Sequence, residues 1–508
     1  MKPRVSPRLA MNGVSGDAGD EELVGMAKGG GLNLAGAVFS QLSLFVTSLV
    51  LAWWLGPGDL GVYWQSYALL SLLGLLSLGG FGAAATRFVA VHRAEGDAGA
   101  VRGTIRLALV LSFTISLGLA AGLFASAPWL ADHVFNDSRL VVALRFVALT
   151  LPAMTFLDVS LAATKGFKTM RAFALTGLVV EPGLRVALTA ILVWVGAGLP
   201  GAMSALVVSN LVAAIIAARA LHRLVGPDRV RRSYRPREVL GFSVMSWMAS
   251  LATSGLIWAD ILLLGMYLQS DQVGVYNVAT RVVLLASFVM LPINASFAPR
   301  IADLYQRGKT DTLRRTYAFA TTWMVRLSLP GFLILIIFPR EVLSIFGPGF
   351  AAAAAVTIVL ALGKAIDVAT GPCAMMLNMS GRPALNMADN VTALVLNIGL
   401  NLWLIPRYGI LGSAIAWALA LGLVNLARVV QVWMTMGMWP FSAGIARALA
   451  AGAVAAGVGL SVRSLMSEPS SLFVGAAALV ATYVALIVIG GLTAEDRVML
   501  SGLRRATA

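Results

Sequence analysis

Cysteine is almost missing from the 508 residues. Cys373 stands alone inside an apolar run, so no disulfide can form within the chain and no thiol metal site can be built. Histidine is nearly as scarce. His92, His133 and His222 fall at the ends of apolar runs or between them, which argues against a mid-membrane histidine relay. No G-x-x-x-x-G-K-[ST] stretch occurs, so the chain is not expected to hydrolyse nucleotide itself. No catalytic-triad spacing and no metal-ligand cluster are present, and neither a catalytic residue nor a cofactor is expected. Charge is thin as well. Only 12% of residues are Asp, Glu, Lys or Arg, where a soluble domain has about 25%. Acidic residues number 23 against 38 basic ones, a net charge of +15. In a soluble protein that excess would suggest nucleic acid. No soluble basic domain exists here to bind it, so no nucleic-acid partner is expected.

What is present is apolar. Hydrophobic residues make up 59% of the chain and the mean hydropathy is +0.85, which implies many membrane spans rather than one anchor. The first 27 residues are polar and Gly-rich, with Lys2, Arg4, Arg8 and the acidic patch Asp17, Asp20, Glu21 and Glu22; they read as a mobile tail. They do not read as a cleavable signal, because the apolar run begins only near Gly31 and is too long for an h-region. Allowing ~20 apolar residues per span, the expected class is an all-α polytopic membrane protein with about fourteen transmembrane helices. Their approximate limits are 31–55, 62–86, 104–127, 140–163, 172–195, 201–221, 240–267, 275–297, 315–338, 352–378, 384–405, 411–434, 443–463 and 472–491.

Lys and Arg set the orientation. Even-numbered spans end in His92-Arg93 through Arg106, in Lys165, Lys168 and Arg171, in Arg219 through Arg237, in Arg300 through Arg315, and in Arg382. The alternate loops hold only Arg139, Arg340, Arg407 and Arg463. The asymmetry places both termini and the basic loops in the cytoplasm. The outer loops are short, such as G-P-G-D at 56–59 and P-R-Y-G at 406–409, and leave no room for a soluble catalytic domain.

The chain also repeats. G-V-Y at 61–63 recurs at 274–276, and the same offset carries Arg87 onto Arg300 and Arg102 onto Arg315. Six spans is an even number, so both copies keep one orientation, as a parallel repeat about an axis along the membrane normal. The expected organisation is a cytoplasmic tail at 1–30, a first six-helix bundle at 31–221, a basic linker at 222–239, a second bundle at 240–434, two further spans at 435–491 and a cytoplasmic tail at 492–508. A transporter of this kind is expected to bind its substrate between the halves.

Five stretches carry a resemblance: L-G-P-G-D-L-G-V-Y (55–63), G-G-F-G-A-A-A-T-R-F (79–88), W-A-D-I-L-L-L-G (258–265), V-G-V-Y-N-V-A-T-R (273–281) and N-I-G-L-N-L-W-L-I-P-R-Y-G-I-L-G-S-A-I-A (397–416). In order and at matching spans, the chain resembles the polysaccharide and oligosaccharide-lipid flippases of the MOP exporter superfamily. The resemblance implies a MATE-like fold and a polyprenyl-(di)phosphate-linked oligosaccharide as substrate. It further implies a bacterial cytoplasmic membrane, and C-terminal helices that line a lipid-tail groove. An H⁺ or Na⁺ coupling ion and polysaccharide polymerase machinery are the other expected partners.

A charged side chain in hydrocarbon costs roughly 2.5–3.5 kcal/mol on insertion scales, so each one asks for an explanation. Near mid-membrane lie Arg185, Arg326 and Lys364, with Glu181 one turn from Arg185 and Asp367 three residues from Lys364. These cations are candidates for a phosphate group, because the planar guanidinium fork bonds phosphate bidentately. Internal neutralisation by Glu181 and Asp367 is the competing reading. Arg326, with no acidic residue within a turn on its own helix, is the leading candidate. Asp260 and Arg281 come to similar depth on sequential helices and are expected to pair, as a gate or as a static bridge; Arg145 lies at comparable depth in the first half. Arg87 and Arg300 at the inner mouth would receive a lipid phosphate or merely snorkel to headgroups. Trp53, Trp54, Tyr63, Trp64, Trp129, Trp403, Tyr408 and Trp439 read as an interface belt. Asn397 and Asn401 read as helix–helix hydrogen bonds, or as contacts to glycan hydroxyls.

Two other functions are weighed. A multidrug antiporter for organic cations needs acidic residues in its cavity, and span 1 has none. A membrane polymerase or ligase needs catalytic groups outside, where only Asp132, His133, Asp137, Arg139, Arg340 and Glu341 are on offer. Orientation is directly testable. A green fluorescent protein fused after Ala508 should fluoresce, and a periplasm-dependent phosphatase at the same place should be inactive; the reverse result would invert the topology.

Overall fold

The computed structural model describes residues 16–227, 230–466 and 470–490. The first half begins with α1 (Gly16–Leu78) and α2 (Phe81–Ala94). It continues with α3 (Ala98–Trp129), α4 (Leu140–Gly166), α5 (Glu181–Trp194, led in by a π-helical stretch at Phe173–Val180) and α6 (Gly198–Val225). Then come α7 (Pro236–Tyr267), α8 (Ser270–Ala286), α9 (Met290–Gln306), α10 (Thr310–Ile337) and the short α11 (Pro339–Ser344). The chain continues through α12 (Ala354–Ala369), α13 (Cys373–Met379) and α14 (Pro383–Met436), and closes with α15 (Ala443–Leu465) and α16 (Ser470–Ile489). No strand occurs among the described residues.

By length and composition, ten helices among the described residues can cross a membrane, or eleven when α8 and α9, bent by 49°, are taken as one broken span. This is a polytopic, all-α membrane fold. Ten is fewer than the expected fourteen partly because two apolar helices are double length: Gly30–Leu78 has 49 residues and Pro383–Met436 has 54. Each contains a non-helical glycine where an outer turn was expected. Gly56 in G-P-G-D has φ +74° and Gly409 in P-R-Y-G has φ +57°, a region that a side chain resists. Each chain reversal is thus a kink and not a loop.

The expected mobile tail is corrected in its described part. Helix α1 already runs from Gly16, ahead of the first apolar run. Residues 1–15, with Lys2, Arg4 and Arg8, and the tail at 492–508 lie outside the described residues.

The two halves share one apolar core on the face opposite the basic loops. Leu51, Leu60, Tyr63, Trp64, Leu144 and Leu151 join Val275, Tyr276, Val282, Met324 and Leu360 in it. Toward the basic face each half has a separate core: Phe81, Val89, Val101, Val159 and Leu221 in the first, Ile301, Leu313, Tyr317, Met376 and Val429 in the second. The halves therefore close on one face and part toward the other. A fourth cluster seats α15 and α16 on α10 through Ile337, Phe338, Ala455 and Leu479. Small residues on α15 allow that close approach.

The closed face is sealed where the repeated G-V-Y motifs cross. A Cβ on Gly61 would lie 1.6 Å from the Ser270 carbonyl oxygen, and one on Gly274 would lie 2.1 Å from the Pro57 carbonyl oxygen. Only glycine on both sides permits this contact. Polar groups ring it. Ser270 Oγ donates to Asp137 Oδ2 at 2.6 Å, and Gln65 Nε2 donates to Ser270 Oγ at 3.2 Å. Arg139 donates to both oxygens of Asp137, at 3.0 and 2.7 Å, and to Asp59 at 3.1 Å. Trp53 Nε1 reaches the Ile345 carbonyl at 2.7 Å. Partial burial alone would raise the Asp137 carboxyl, but the hydrogen bonds from Arg139 and Ser270 outweigh it and hold the group below the usual carboxylate range. With the folded value depressed, this contribution to the seal is present at neutral pH and is lost only as pH falls through that lowered value.

Helix α7 belongs to both halves. At the basic face Arg235 pairs with Glu95 at 3.3 Å and Asp97 at 3.1 Å, Ser233 N donates to the Gly99 carbonyl at 3.1 Å, and Trp247 Nε1 donates to the Leu75 carbonyl at 3.0 Å. Much of the described linker is thus bound to the first half. At the other end Asp260 bonds α14 of the second half.

The glycine crossing yields a direct test. In a chain carrying Cys373→Ala and Gln65→Cys, Gly61→Val should prop the closed face open and raise labelling of position 65 by a membrane-impermeant maleimide from that face. Unchanged labelling would show that the crossing is not the seal.

Candidate functional site

Between the halves lies a chamber of about 300 Å³ whose lining includes Gln41 and Phe45 of α1, Arg281 of α8, Asn294 of α9 and Lys364 of α12. Arg281 and Lys364 bring two cations to its wall. The Arg281 guanidinium carbon sits 4.2 Å above the Trp64 ring centre and 5.7 Å from that of Trp258, contacts of cation–π type. Lys364 Nζ donates to Asp367 Oδ2 at 2.6 Å, as its spacing predicts.

Trp64 belongs to an aromatic bridge. Its ring centre is 5.3 Å from Tyr67, which is 5.4 Å from Trp258. At the far side of that bridge Arg185 Nη1 donates to Tyr67 Oη at 3.1 Å and lies 3.6 Å from Glu181 Oε1. Glu181 also accepts from Ser209 at 3.3 Å and Asn210 at 3.4 Å. The bridge thus connects one arginine from each half. Tyr63 and Trp64 are fully buried, which corrects their assignment to an interface belt, whereas Trp53, Trp54, Trp129, Trp403, Tyr408 and Trp439 are exposed.

The expected pairing of Asp260 with Arg281 is not formed. Asp260 accepts from Tyr276 Oη at 3.1 Å and from Asn401 Nδ2 at 2.9 Å. Arg281 follows Tyr276 by five residues, about 140° around the helix, and so turns toward the chamber. Asn401 therefore makes the helix–helix hydrogen bond expected of it. Asn397 is buried beside the same carboxylate, though its amide makes no hydrogen bond of ordinary geometry. The result is a buried carboxylate surrounded by neutral donors. No basic side chain is paired with Asp260 among the described residues.

Arg326 also departs from expectation. It faces a cleft of about 240 Å³ between α10, α15 and α16, with Arg447, Val454 and Leu486 in its lining, and it does not line the chamber. The reason is helical phase. Thr322, Arg326, Leu329, Leu333 and Ile337 share the α10 face that meets α15: Thr322 bonds Ser442 at 2.8 Å, and Leu329 and Leu333 abut Gly452.

The remaining candidates lie apart from the chamber lining. Arg87 is exposed on the basic-face side, over the Phe242 ring at 4.6 Å, and Arg300 is exposed on α9. Arg145 is exposed over Phe124 at 5.2 Å. Glu341 is buried and bonded to Arg463 at 2.9 Å. Sequence reasoning passed over Arg428, buried in α14 among Asn425, Asn390 and Asp389. The same rule that picked out Lys364, a charge inside an apolar run, was the available signal.

Comparison with known proteins agrees with this architecture. The family described as "Polysaccharide biosynthesis protein" matches residues 26–305, and the MatE family matches residues 246–403. Among curated relatives, the probable low-salt glycan biosynthesis flippase Agl15 of Haloferax volcanii is 25% identical over 234 residues, which is 45% of this chain and 50% of that protein. The probable flippase AglR of the same organism is 27% identical over 249 residues, 47% of this chain and 50% of that protein. The alignments thus span about half the length of these curated relatives. Among solved structures, the lipid II flippase MurJ in an inward closed conformation superposes with a TM-score of 0.68 at 12% identity, covering 90% of this chain and 97% of that one. An inward-facing multidrug resistance MATE transporter of the MOP superfamily gives 0.66 at 15% identity, covering 78% and 94%. These likenesses show the fold; with the first family match extending over more than half of its length, the chain belongs to the polysaccharide biosynthesis protein family.

Proposed function

We propose that the protein is a flippase for a lipid-linked oligosaccharide, moving a polyprenyl-(di)phosphate glycan across the cytoplasmic membrane from the basic face outward. The observation that carries the reading is the placing of Arg281 and Lys364 on one chamber wall between the halves. A lipid-linked glycan has its phosphate at the junction of tail and sugar. Two cations at a partly dehydrated wall suit that group, with the tail left in lipid. The probable low-salt glycan biosynthesis flippase Agl15 supports a glycan-linked substrate, and the probable flippase AglR supports flipping.

In this reading the basic face is cytoplasmic, both termini lie there, and the chain has about fourteen spans. That count divides α1 and α14 at their kinks and includes the bent pair and α7. The membrane is the bacterial inner membrane, and the product passes to polysaccharide polymerase machinery. Spans 1–6 and 7–12 rock as two bundles. Substrate enters while the seal at Gly61 and Gly274 is closed, and leaves once it opens. Asp260, with Tyr276 and Asn401 as neutral partners, takes the coupling ion, H⁺ or Na⁺, because one added positive charge offsets its buried negative one.

The drug-antiporter reading is weaker because the chamber wall is cationic. The polymerase reading loses half of its six candidate groups: Asp137 and Arg139 are engaged in the seal and Glu341 in an ion pair.

The decisive measurement is flipping in proteoliposomes of a fluorescent short-chain polyprenyl-diphosphate sugar, read by quenching from outside. Arg281→Ala and Lys364→Gln should each slow it about tenfold or more, as expected for loss of a charge contact to phosphate. Arg326→Ala should stay within about twofold of wild type, since that residue faces another cleft. Strong efflux of cationic dyes, indifferent to Arg281→Ala, would overturn the reading. Asp260→Asn should abolish stimulation of transport by an imposed H⁺ or Na⁺ gradient; a gradient response equal to wild type would remove Asp260 from coupling.

A further inference from the structure

Within the second half a run of polar side chains leads from the chamber wall into α14. Lys364 Nζ donates to Asp367 Oδ2 at 2.6 Å. The other oxygen of Asp367 accepts from Asn425 Nδ2, also at 2.6 Å. Asn425 Oδ1 in turn accepts from Arg428 Nη1 at 2.9 Å. Arg428 Nη2 donates to Asn390 Oδ1 at 2.6 Å, and its Nε lies 3.6 Å from Asp389 Oδ2. Gln431 Nε2 donates to Asp389 Oδ1 at 2.8 Å. Charges alternate along the run: Lys364 positive, Asp367 negative, Arg428 positive, Asp389 negative. Asn425, Arg428 and Asp389 are buried, and of the whole run Lys364 alone lines the chamber.

Asn425 is the pivot. Its amide donates toward Asp367 while its carbonyl accepts from Arg428, so both ends are committed and the amide orientation is fixed. The positive charge of Arg428 is thereby presented, one side chain removed, to the Asp367 carboxylate. That bears on phosphate binding. An ammonium held at 2.6 Å by a carboxylate serves a ligand only if the carboxylate tolerates losing it. A half-buried carboxylate left alone still carries a desolvation cost. One still held by Asn425 and stabilised by Arg428 does not stand alone. Lysine suits such an exchange, as a compact charge with three donors on a flexible stem.

We propose that Arg428 is a positioning residue for phosphate recognition: by backing Asp367 through Asn425, it lets Lys364 pass from Asp367 to a phosphate in the chamber. This rests on the reading of the chamber as a phosphate site. The sign of the effect follows. Without Arg428, the half-buried Asp367 and the buried Asp389 remain as two carboxylates with Lys364 the one cation left in the run. Lys364 is then held harder, and the chamber loses affinity although every residue on its wall is intact.

The test is titration of the full-length protein in nanodiscs with farnesyl diphosphate, followed by tryptophan fluorescence and calorimetry. Arg428→Gln should weaken binding about tenfold, a loss typical of one charge contact. Asp367→Asn alone should bind at least as tightly as wild type, and Arg428→Gln combined with Asp367→Asn should recover wild-type affinity, because Lys364 is no longer retained. A merely structural role predicts the opposite, a double variant weaker than either single one, and that result would overturn the proposal. Should Arg428→Gln not yield folded protein, Asn425→Ala severs the same relay and should show the same loss and the same recovery. Wild-type binding with Arg428→Gln and Asn425→Ala both unaffected overturns the relay alone. No binding by wild type overturns the chamber reading and the relay with it.

Discussion

The closed state of this protein depends on one contact, the crossing of Gly61 and Gly274. Each glycine meets the backbone of the opposite half at a distance that no side chain allows. Around it, Asp59, Gln65, Asp137, Arg139 and Ser270 tie the turn regions together. In hydrocarbon, backbones attract one another through packing and not through water expulsion, so close approach by small residues is the available adhesive. The crossing also fixes where the halves can part. With the shared core on that side and separate cores toward the basic face, the chamber has a closed end and an end where the halves diverge.

Much of this was legible in the residues. Gly, Pro and Asp at 56–59 and Pro to Gly at 406–409 marked the turns, since only glycine accepts the backbone angle found at Gly56 and Gly409. The offset between the G-V-Y motifs was visible too. What the sequence did not disclose is that these motifs meet face to face. Pairing across halves depends on how two bundles dock, which periodicity within one helix does not encode. The same limit explains Asp260 and Arg281. Depth along the sequence suggested a pair, but rotation about each helix separates the two side chains, Asp260 toward Asn401 and Arg281 toward Trp64.

Arg326 teaches the complementary point. An intramembrane charge announces a special environment without saying which. The α10 face that carries it also carries Thr322, Leu329 and Leu333, and those residues belong to the contact with α15. The first-half carboxylate and guanidinium of Glu181 and Arg185 do meet, as their spacing suggests. Arg185 nonetheless reaches past Glu181 to Tyr67, so neutralisation and contact with the aromatic bridge are not exclusive.

Helix α7 is fastened at one end to Glu95, Asp97 and Leu75 and at the other to Asn401, residues of different halves. It therefore acts as a tie rod. When the halves rotate apart, a helix anchored to both must bend between its anchors or release one of them. The stretch A-S-L-A-T-S-G at 249–255 supplies small residues there, and Gly/Ser pairs are sites at which helices kink sharply. How far the two bundles can separate is consequently bounded by how far these 32 residues can flex.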